Sequence, residues 1–275
     1  MATIDPSSSS APDDSVRGKP PMTLHRRSKI TELVRQQGAV RVGDLAEEFQ
    51  VSEVTIRNDL EQLEKEGQLV RDRGGAIAGS VTPITSLARL DQRATLNQDE
   101  KRRIGRAAAK LVNPGDTIIL DAGTTTLEVA RAVTGITPLT VVTNALDIAC
   151  ELTARSEAGV ILLGGTISRE AGSTLGAHTE HHLGEFVAQK LFLGTQAFDL
   201  EHGLTDTTIE IAQAKRAMVR AARQVILLTD SSKWQRSGFI KVVPLKEIDT
   251  IITDTNLPAD AREAIERLGV ELILA

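Results

Sequence analysis

The sequence predicts an α/β fold in two unequal parts: a small, mostly helical N-terminal domain and a larger, mainly parallel α/β domain. Three observations carry that expectation. Beyond about Asp99, short runs of consecutive apolar residues alternate with amphipathic stretches, the pattern of strands buried on both faces and joined by helices. Before residue 78 the apolar positions recur at helical spacing instead, and the pattern closes on a glycine-rich hairpin. The 275 residues include five Phe, one Trp and no Tyr, so the cores must be aliphatic, which suits a sheet of Val, Ile and Leu under Ala-rich helices.

Residues 1–24 are rich in Ser, Pro and Asp and hold no apolar central run. They are expected to be a disordered tail rather than a secretory signal. A first helix from about His25 to Gln37 sets Ile30, Leu33 and Val34 on one face and is stopped by Gly38. The stretch VGDLAEEFQ gives a second helix with Val42, Leu45, Ala46 and Phe49 inward. Val51 fills the turn, and Ser52 is an N-cap for a third helix. On that helix Ile56, Leu60 and Leu63 face the core, which leaves Glu53, Val54, Arg57, Asn58 and Glu61 outward and Thr55 on the flank. Gly67 ends it. QLVRDRGGAIA then reads as a hairpin in which Gly74-Gly75 permits the turn or a close backbone approach. Residues 25–78 therefore describe a winged helix-turn-helix domain. Residues 79–98 lack sustained periodicity and read as a linker.

From 99 to 275 the expected strands are 117–121, 139–143, 160–163, 190–194, 225–229, 250–253 and 270–274. Helices are expected at about 100–112, 124–134, 145–156, 178–189, 208–223 and 259–268. Strand-helix alternation implies helices on both faces of a mainly parallel sheet, with ligands at the carboxyl ends of the strands.

In a winged helix-turn-helix the capped helix enters the major groove of double-stranded DNA. Arg57 suits a guanine edge or a phosphate, Asn58 an adenine edge, and Arg71 and Arg73 the backbone or minor groove. Ser52 and Thr55 would hold phosphates at the helix start, and Arg26 and Arg27 come from an element expected to converge on the same face. A helical protein-binding module with a solvated charged face is the alternative. It has support, because His25 to Arg73 carries nine Lys/Arg against ten Asp/Glu. The whole-chain formal charge of −5 neither indicates nor excludes a nucleic-acid partner. No apolar stretch approaches a membrane span, and the single cysteine fits a reducing compartment, so no membrane partner and a cytoplasmic location are expected. Cys150 itself is expected to be packed as a small hydrophobe.

The stretch DAGTTT, Asp121 to Thr126, follows an apolar strand and opens a helix. It lacks the Gly-Lys-Ser/Thr of a Walker loop, and Gly123 alone is no dinucleotide fingerprint, so no nucleotide cofactor is expected. Gly123 and the hydroxyls of Thr124, Thr125 and Thr126 make either an anion site or an ordinary helix cap supplied by Thr124 or Thr125. Other strand ends carry Asn144, Gly165, Asp199 and Lys233, and Glu210 and Lys215 lie near the start of a helix. Converging on one sheet edge, these could line a small polyol phosphate. Taken singly, each could be a loop or cap residue, and Glu210 and Lys215 could be solvated charges. His178 and His182, spaced i, i+4 beside His181, could hold zinc or lie on a polar helix face.

The stretch from RRSKITELVRQQG through V-S-x-x-T-I-R-x-D-L to G-G-A resembles the DNA-binding domain of the DeoR family of bacterial transcriptional regulators. The chain has Asn58 where most members have a second Arg, and Arg73 where they often have His, departures that bear on the operator sequence. From about Leu87 the chain resembles the family's sensor domain, which is similar to ribose-5-phosphate isomerase. That resemblance implies phosphate contacts from Gly123 and Thr124 to Thr126, Lys233 near the ligand, and a sugar lined by Asp121, Asn144, Gly165, Asp199, Glu210 and Lys215. Where an acid of the isomerase pattern would stand, this chain has Gln196, and an amide cannot act as a general base. VTIRND, GTTTLEVAR and TDSSKWQRSGF also resemble regulators of N-acetylgalactosamine and related amino-sugar use. The resemblance thus implies a repressor of a sugar or amino-sugar catabolism operon, a phosphorylated sugar effector, and a homo-oligomer, dimer or tetramer. An isomerase with an accessory DNA-binding domain is the rival expectation.

Overall fold

A computed structural model describes residues 22–65, 69–72, 74–77, 84–88 and 90–275. The chain forms two compact units divided at residues 80/81, each with its own core. Most of the expected tail (residues 1–21), Gly67 and Arg73 lie outside the described residues.

The first unit runs α1 (Met22–Gln37), β1 (Ala39–Arg41), α2 (Val42–Glu48), α3 (Glu53–Lys65), β2 (Val70–Asp72) and β3 (Gly75–Ile77). Its core is the set the helical spacing marks: Ile30, Val34, Val42, Leu45, Ile56, Leu60 and Leu63 are buried, with Leu33, Ala46, Phe49 and Val51 packed against them. Two features go beyond the expectation. The first helix begins at Met22 rather than His25, and β1 joins the hairpin to make an antiparallel sheet of order β1-β3-β2. Three residues give too little alternation to announce a strand. The glycine pair divides its work. Gly74 takes the left-handed turn at φ +85°, and its carbonyl accepts from Val42 N at 2.9 Å. A Cβ on Gly75 would fall 2.0 Å from the Val40 carbonyl oxygen, so only glycine lets β1 lie against β3.

The second unit opens with α4 (Leu90–Thr95), α5 (Gln98–Ala109), β4 (Thr117–Leu120), α6 (Thr124–Ala132), β5 (Thr140–Thr143), α7 (Leu146–Arg155) and β6 (Gly159–Leu162). It continues through β7 (Thr166–Ser168), β8 (Ser173–Leu175), α8 (Ala177–Leu183), β9 (Ala188–Gly194), β10 (Ala197–Asp199), β11 (Gly203–Asp206) and α9 (Ile209–Arg220). It closes with β12 (Ala222–Leu228), β13 (Ile240–Lys241), β14 (Thr250–Thr253), α10 (Ala259–Arg267) and β15 (Glu271–Leu274). All seven expected strands meet in one parallel sheet of order β15-β14-β12-β9-β4-β5-β6.

Because alternate side chains point to opposite faces, the sheet carries two cores. Ile119, Leu191, Leu227 and Ile251 pack with α9 and α10, while Ile118, Leu120, Phe192, Ile226 and Ile252 pack with α5, α6 and α7. Each fully buried side chain of this size contributes about 1.5–3 kcal/mol. The strand order reverses between β4 and β9, one leading outward to β5 and the other to β12. Such a reversal opens a crevice at the carboxyl ends of the two strands.

Several expectations are corrected. The stretch read as a linker is, from Ile84 onward, part of the second unit: Ile84 N donates to Ser237 O at 2.8 Å, Phe239 N donates to Ile84 O at 3.2 Å, and α4 follows. A helix of six residues is too short to show a period. The helix expected over 178–189 ends at Leu183, because Gly184 follows and Ala188 already belongs to β9. Cys150 is exposed, since α7 turns Ile148, Ala149 and Leu152 inward. His178, His181 and His182 are exposed on α8, the polar helix face that their spacing allowed. The small antiparallel sheets β7-β8 and β10-β11-β13 were not foreseen, again for want of length.

Candidate functional site

The first unit presents α3 outward. Ser52 caps it as expected, its Oγ accepting from Thr55 N at 3.2 Å and lying 2.9 Å from Thr55 Oγ1. Val54, Arg57 and Asn58 are exposed on its outer face, and Arg57 Nη2 donates to Glu53 Oε2 at 2.6 Å. An exposed pair of this kind is worth under about 1 kcal/mol and yields readily to a better anion. Arg71 is exposed on β2. Arg26 and Arg27 are tied instead to one carboxylate: their Nε atoms donate to Asp59 at 2.6 and 2.8 Å, and Asp59 is 2% exposed.

Asp59 is the positioning residue that sequence reasoning missed. It is the acid of the T-I-R-x-D-L core, and it fixes α3 to α1 from beneath. Removing it would leave two guanidinium groups without their buried partner. Asp59→Ala is expected to destabilise the first unit by about 2 kcal/mol, below the cost of breaking a fully buried pair because both arginines are partly exposed. Thermal unfolding of the variant against wild type checks this.

In the second unit, Asp121 follows β4, Gly194 ends β9 and Asp206 ends β11, and the three surround Lys215 of α9. Lys215 Nζ lies 2.8 Å from Gly194 O, 2.7 Å from Asp206 Oδ2 and 3.4 Å from Asp121 Oδ2. Asp121 Oδ2 also accepts from Gly194 N at 3.0 Å. Asp121, Asp206 and Lys215 are buried. Burial pushes the Asp121 carboxyl up despite Lys215 beside it, whereas the two carboxylates outweigh burial and hold the Lys215 ammonium above its ordinary value. The three N–H donors of Lys215 therefore face three acceptors within 3.4 Å, an arrangement that locks a charge rather than one that passes a proton.

Beside this network an open cleft lies at the strand-order reversal, lined among others by Leu87, Arg93, Asn144 and Gln196. Arg93 is nearly buried. Its Nε donates to Ala88 O at 2.9 Å and its Nη2 to Glu170 O at 3.2 Å.

The first turn of α6 is open. Gly123 stands at its N-cap and no side chain caps it, so the expected alternative of a Thr124 or Thr125 cap is not what forms. Thr124 and Thr126 are buried, and Thr126 Oγ1 donates to Gly123 O at 2.8 Å, while Thr125 is half-buried. Beyond β12, Lys233 closes a short turn that Asp230 and Asp254 pin: Asp230 Oδ1 accepts from Ser232 N at 3.2 Å and Asp254 Oδ2 from Ser231 N at 2.7 Å. Burial pushes the Lys233 ammonium down to about 8, with Asp230 opposing and Arg236, Lys101 and Arg93 reinforcing the fall. Lys233, Arg236, Lys101 and Arg93 outnumber the carboxylates of Asp230 and Asp254 here, which makes the corner favourable for an anion.

Of the residues expected to line a sugar, Asp121, Asn144 and Lys215 meet at the cleft. The solvated reading of Lys215 is corrected: its neighbours at i−3 and i+3, Ala212 and Met218, are buried, a stripe legible in the sequence. Glu210 is exposed on α9. Asp199 faces its own hairpin, its Oδ1 accepting from Glu201 N at 2.8 Å and His202 N at 2.6 Å, and the cleft carboxylate of that hairpin is Asp206. Gly165 serves packing. At φ +148°, a Cβ there would fall 2.3 Å from Thr179 Oγ1. Arg93 and Asp206 were missed, the first because it sat in the presumed linker and the second because Asp199 seemed the better strand-end acid.

Comparison with known proteins completes the picture. Residues 26–82 match the DeoR-like helix-turn-helix domain and residues 96–255 the DeoR C terminal sensor domain. The chain is 40% identical over 253 residues to the putative aga operon transcriptional repressor of Escherichia coli O157:H7, covering 92% of this chain and 94% of that one. It is 32% identical over 249 residues to the glycerol-3-phosphate regulon repressor of Escherichia coli (strain K12), covering 90% and 98%. Among solved structures, the full-length sorbitol operon regulator SorC from Klebsiella pneumoniae aligns over 88% of this chain and 98% of that one at 15% identity and a TM-score of 0.41. Both domains match in order and the relatives are similar along nearly their whole length, so the chain belongs to the DeoR family of DNA-binding transcriptional regulators and is not an enzyme.

Proposed function

We propose that this regulator represses a sugar or amino-sugar catabolism operon, and that a phosphorylated sugar in the cleft of the second unit modulates its hold on operator DNA. One observation carries the proposal. The open first turn of α6 and the cation-rich Lys233 corner lie along the same sheet edge as the buried Asp121–Lys215–Asp206 network. The first pair favours a phosphate and the network favours a neutral polyol. The relatives named for the aga operon and the glycerol-3-phosphate regulon support the same reading.

A route for the signal follows from the chain itself. The segment that succeeds the DNA-binding domain in sequence supplies Leu87 and Arg93 to the cleft wall. Asn97 Nδ2 then donates to Asp230 Oδ1 at 2.9 Å and Ser232 Oγ at 3.2 Å, and Lys101 Nζ donates to Leu96 O at 2.6 Å. A ligand that draws on these groups biases the stretch leading to the operator-binding helix, and a bias of a few kcal/mol is enough to release DNA. One α3 contacts too few phosphates for tight binding at physiological salt, so the active species is a dimer or tetramer on repeated half-sites. The place of work is the cytoplasm; among the described residues no helix is long and apolar enough to cross a membrane.

A thermal-shift series with phosphorylated sugars tests the effector. At least one is expected to stabilise the full-length protein well beyond inorganic phosphate. Lys233 is charged below about 8 and neutral above it, so the stabilisation is expected to fall as pH rises through that value. The loss is up to roughly tenfold in affinity per pH unit. No stabilisation by any sugar phosphate at either end of that range removes the effector reading.

A further inference from the structure

Asn144 follows β5, is 1% exposed and lines the cleft. Its Nδ2 donates to Thr174 O at 2.9 Å, and its Oδ1 has no hydrogen-bond partner in the protein. Turning the amide over would set oxygen against the Thr174 carbonyl, acceptor facing acceptor, so the orientation is fixed. The backbone is fixed as well, since Thr174 N donates to Asn144 O at 2.9 Å.

Two other buried side-chain atoms among the described residues lack partners, Trp234 Nε1 and Thr253 Oγ1, and neither residue lines the cleft. The charged groups nearby are already engaged: Lys215 with Gly194, Asp206 and Asp121, and Asp206 Oδ1 with Thr207 N at 2.8 Å. A buried acceptor left bare costs stability unless a ligand supplies the missing donor.

Resting on the sugar-phosphate reading of the cleft, we infer that Asn144 Oδ1 is a specificity-determining acceptor, and that the effector must present a hydroxyl or an N–H to it. A site built to receive a donor discriminates strongly against the analogue that lacks one, because its own polar group is then left unpaired.

The test is isothermal titration of the full-length protein with ribose 5-phosphate, galactose 6-phosphate, glucosamine 6-phosphate and the monodeoxy counterpart of each. Asn144→Ala is expected to bind the best of these about 10- to 100-fold more weakly than wild type. For the one analogue lacking the donor that meets Oδ1, wild type and variant are expected to agree within about threefold. Loss of the effect on removing an amine rather than a hydroxyl identifies the donor as N–H. Asn144→Ser, whose shorter side chain cannot reach the same point, takes the place of the alanine variant if that one does not fold. Unchanged affinity in the variant, or an equal loss for every analogue, overturns the assignment. Failure of wild type to bind any of these compounds removes the sugar-phosphate reading and the assignment with it.

Discussion

Lys215→Ala is expected to lower the stability of the second unit by about 3–5 kcal/mol at neutral pH. Asp121 and Asp206 are 3% and 1% exposed and share this one ammonium, so its removal leaves two buried carboxylates facing each other across the cleft. The variant should therefore behave as an acid-stabilised protein. A carboxyl whose folded-state pKa is raised contributes stability when protonated and loses it as pH rises through the raised value. Burial already raises Asp121 with Lys215 in place, and without it the rise is larger. Urea unfolding at about pH 5 and about pH 8 should show a deficit that widens at the higher value. In wild type the opposite window applies: the Lys215 pKa is raised, so its contribution is fully present below the ordinary lysine value and lost only above it. An Ala variant as stable as wild type at about pH 8 would mean that the carboxylates are solvated and that the network is not a fixed floor to the site.

Arg57→Ala is expected to abolish operator binding while leaving the thermal unfolding of both units unchanged. A single arginine on a base edge or phosphate is worth about 1–3 kcal/mol, and in a two-fold oligomer it is lost twice, for a total of about 2–6 kcal/mol. The fold should not notice. Arg57 and its partner Glu53 have side chains 53% and 52% exposed, and neither belongs to the core of the unit. Gel-shift titration at fixed salt, beside a melting curve, separates the two quantities. Unchanged operator affinity would take α3 out of the interface.

How much of this the sequence announces depends on the length of each element and on what pairs with it. The seven sheet strands were legible because each holds a short run of consecutive apolar residues, and the first-unit core because Ile56, Leu60 and Leu63 repeat with the helix. The three-residue strands β1, β7 and β10 and the six-residue α4 carry too little pattern to be seen. The candidate site was legible in its chemistry more than in its membership. Asp121 of DAGTTT, the strand-end Asn144 and the helical Lys215 line the cleft, but Asp206 rather than Asp199 completes the network. Arg93 enters from a stretch with no period at all. Lys215 misled because an isolated lysine is usually solvated, and only its two buried carboxylates make its burial tolerable. Asp59 is the same case in the first unit: a buried acid is visible only once the two arginines that answer it are placed beside it.

In the proposed function, occupancy of the cleft governs the grip on the operator. Gel-shift titration of the wild-type protein on DNA from upstream of its own gene, with and without a saturating sugar phosphate that stabilises it, tests that link directly. Operator affinity is expected to change by at least about tenfold, and the operator should change the affinity for the sugar phosphate by the same factor. A saturated cleft that leaves operator affinity untouched would contradict the account.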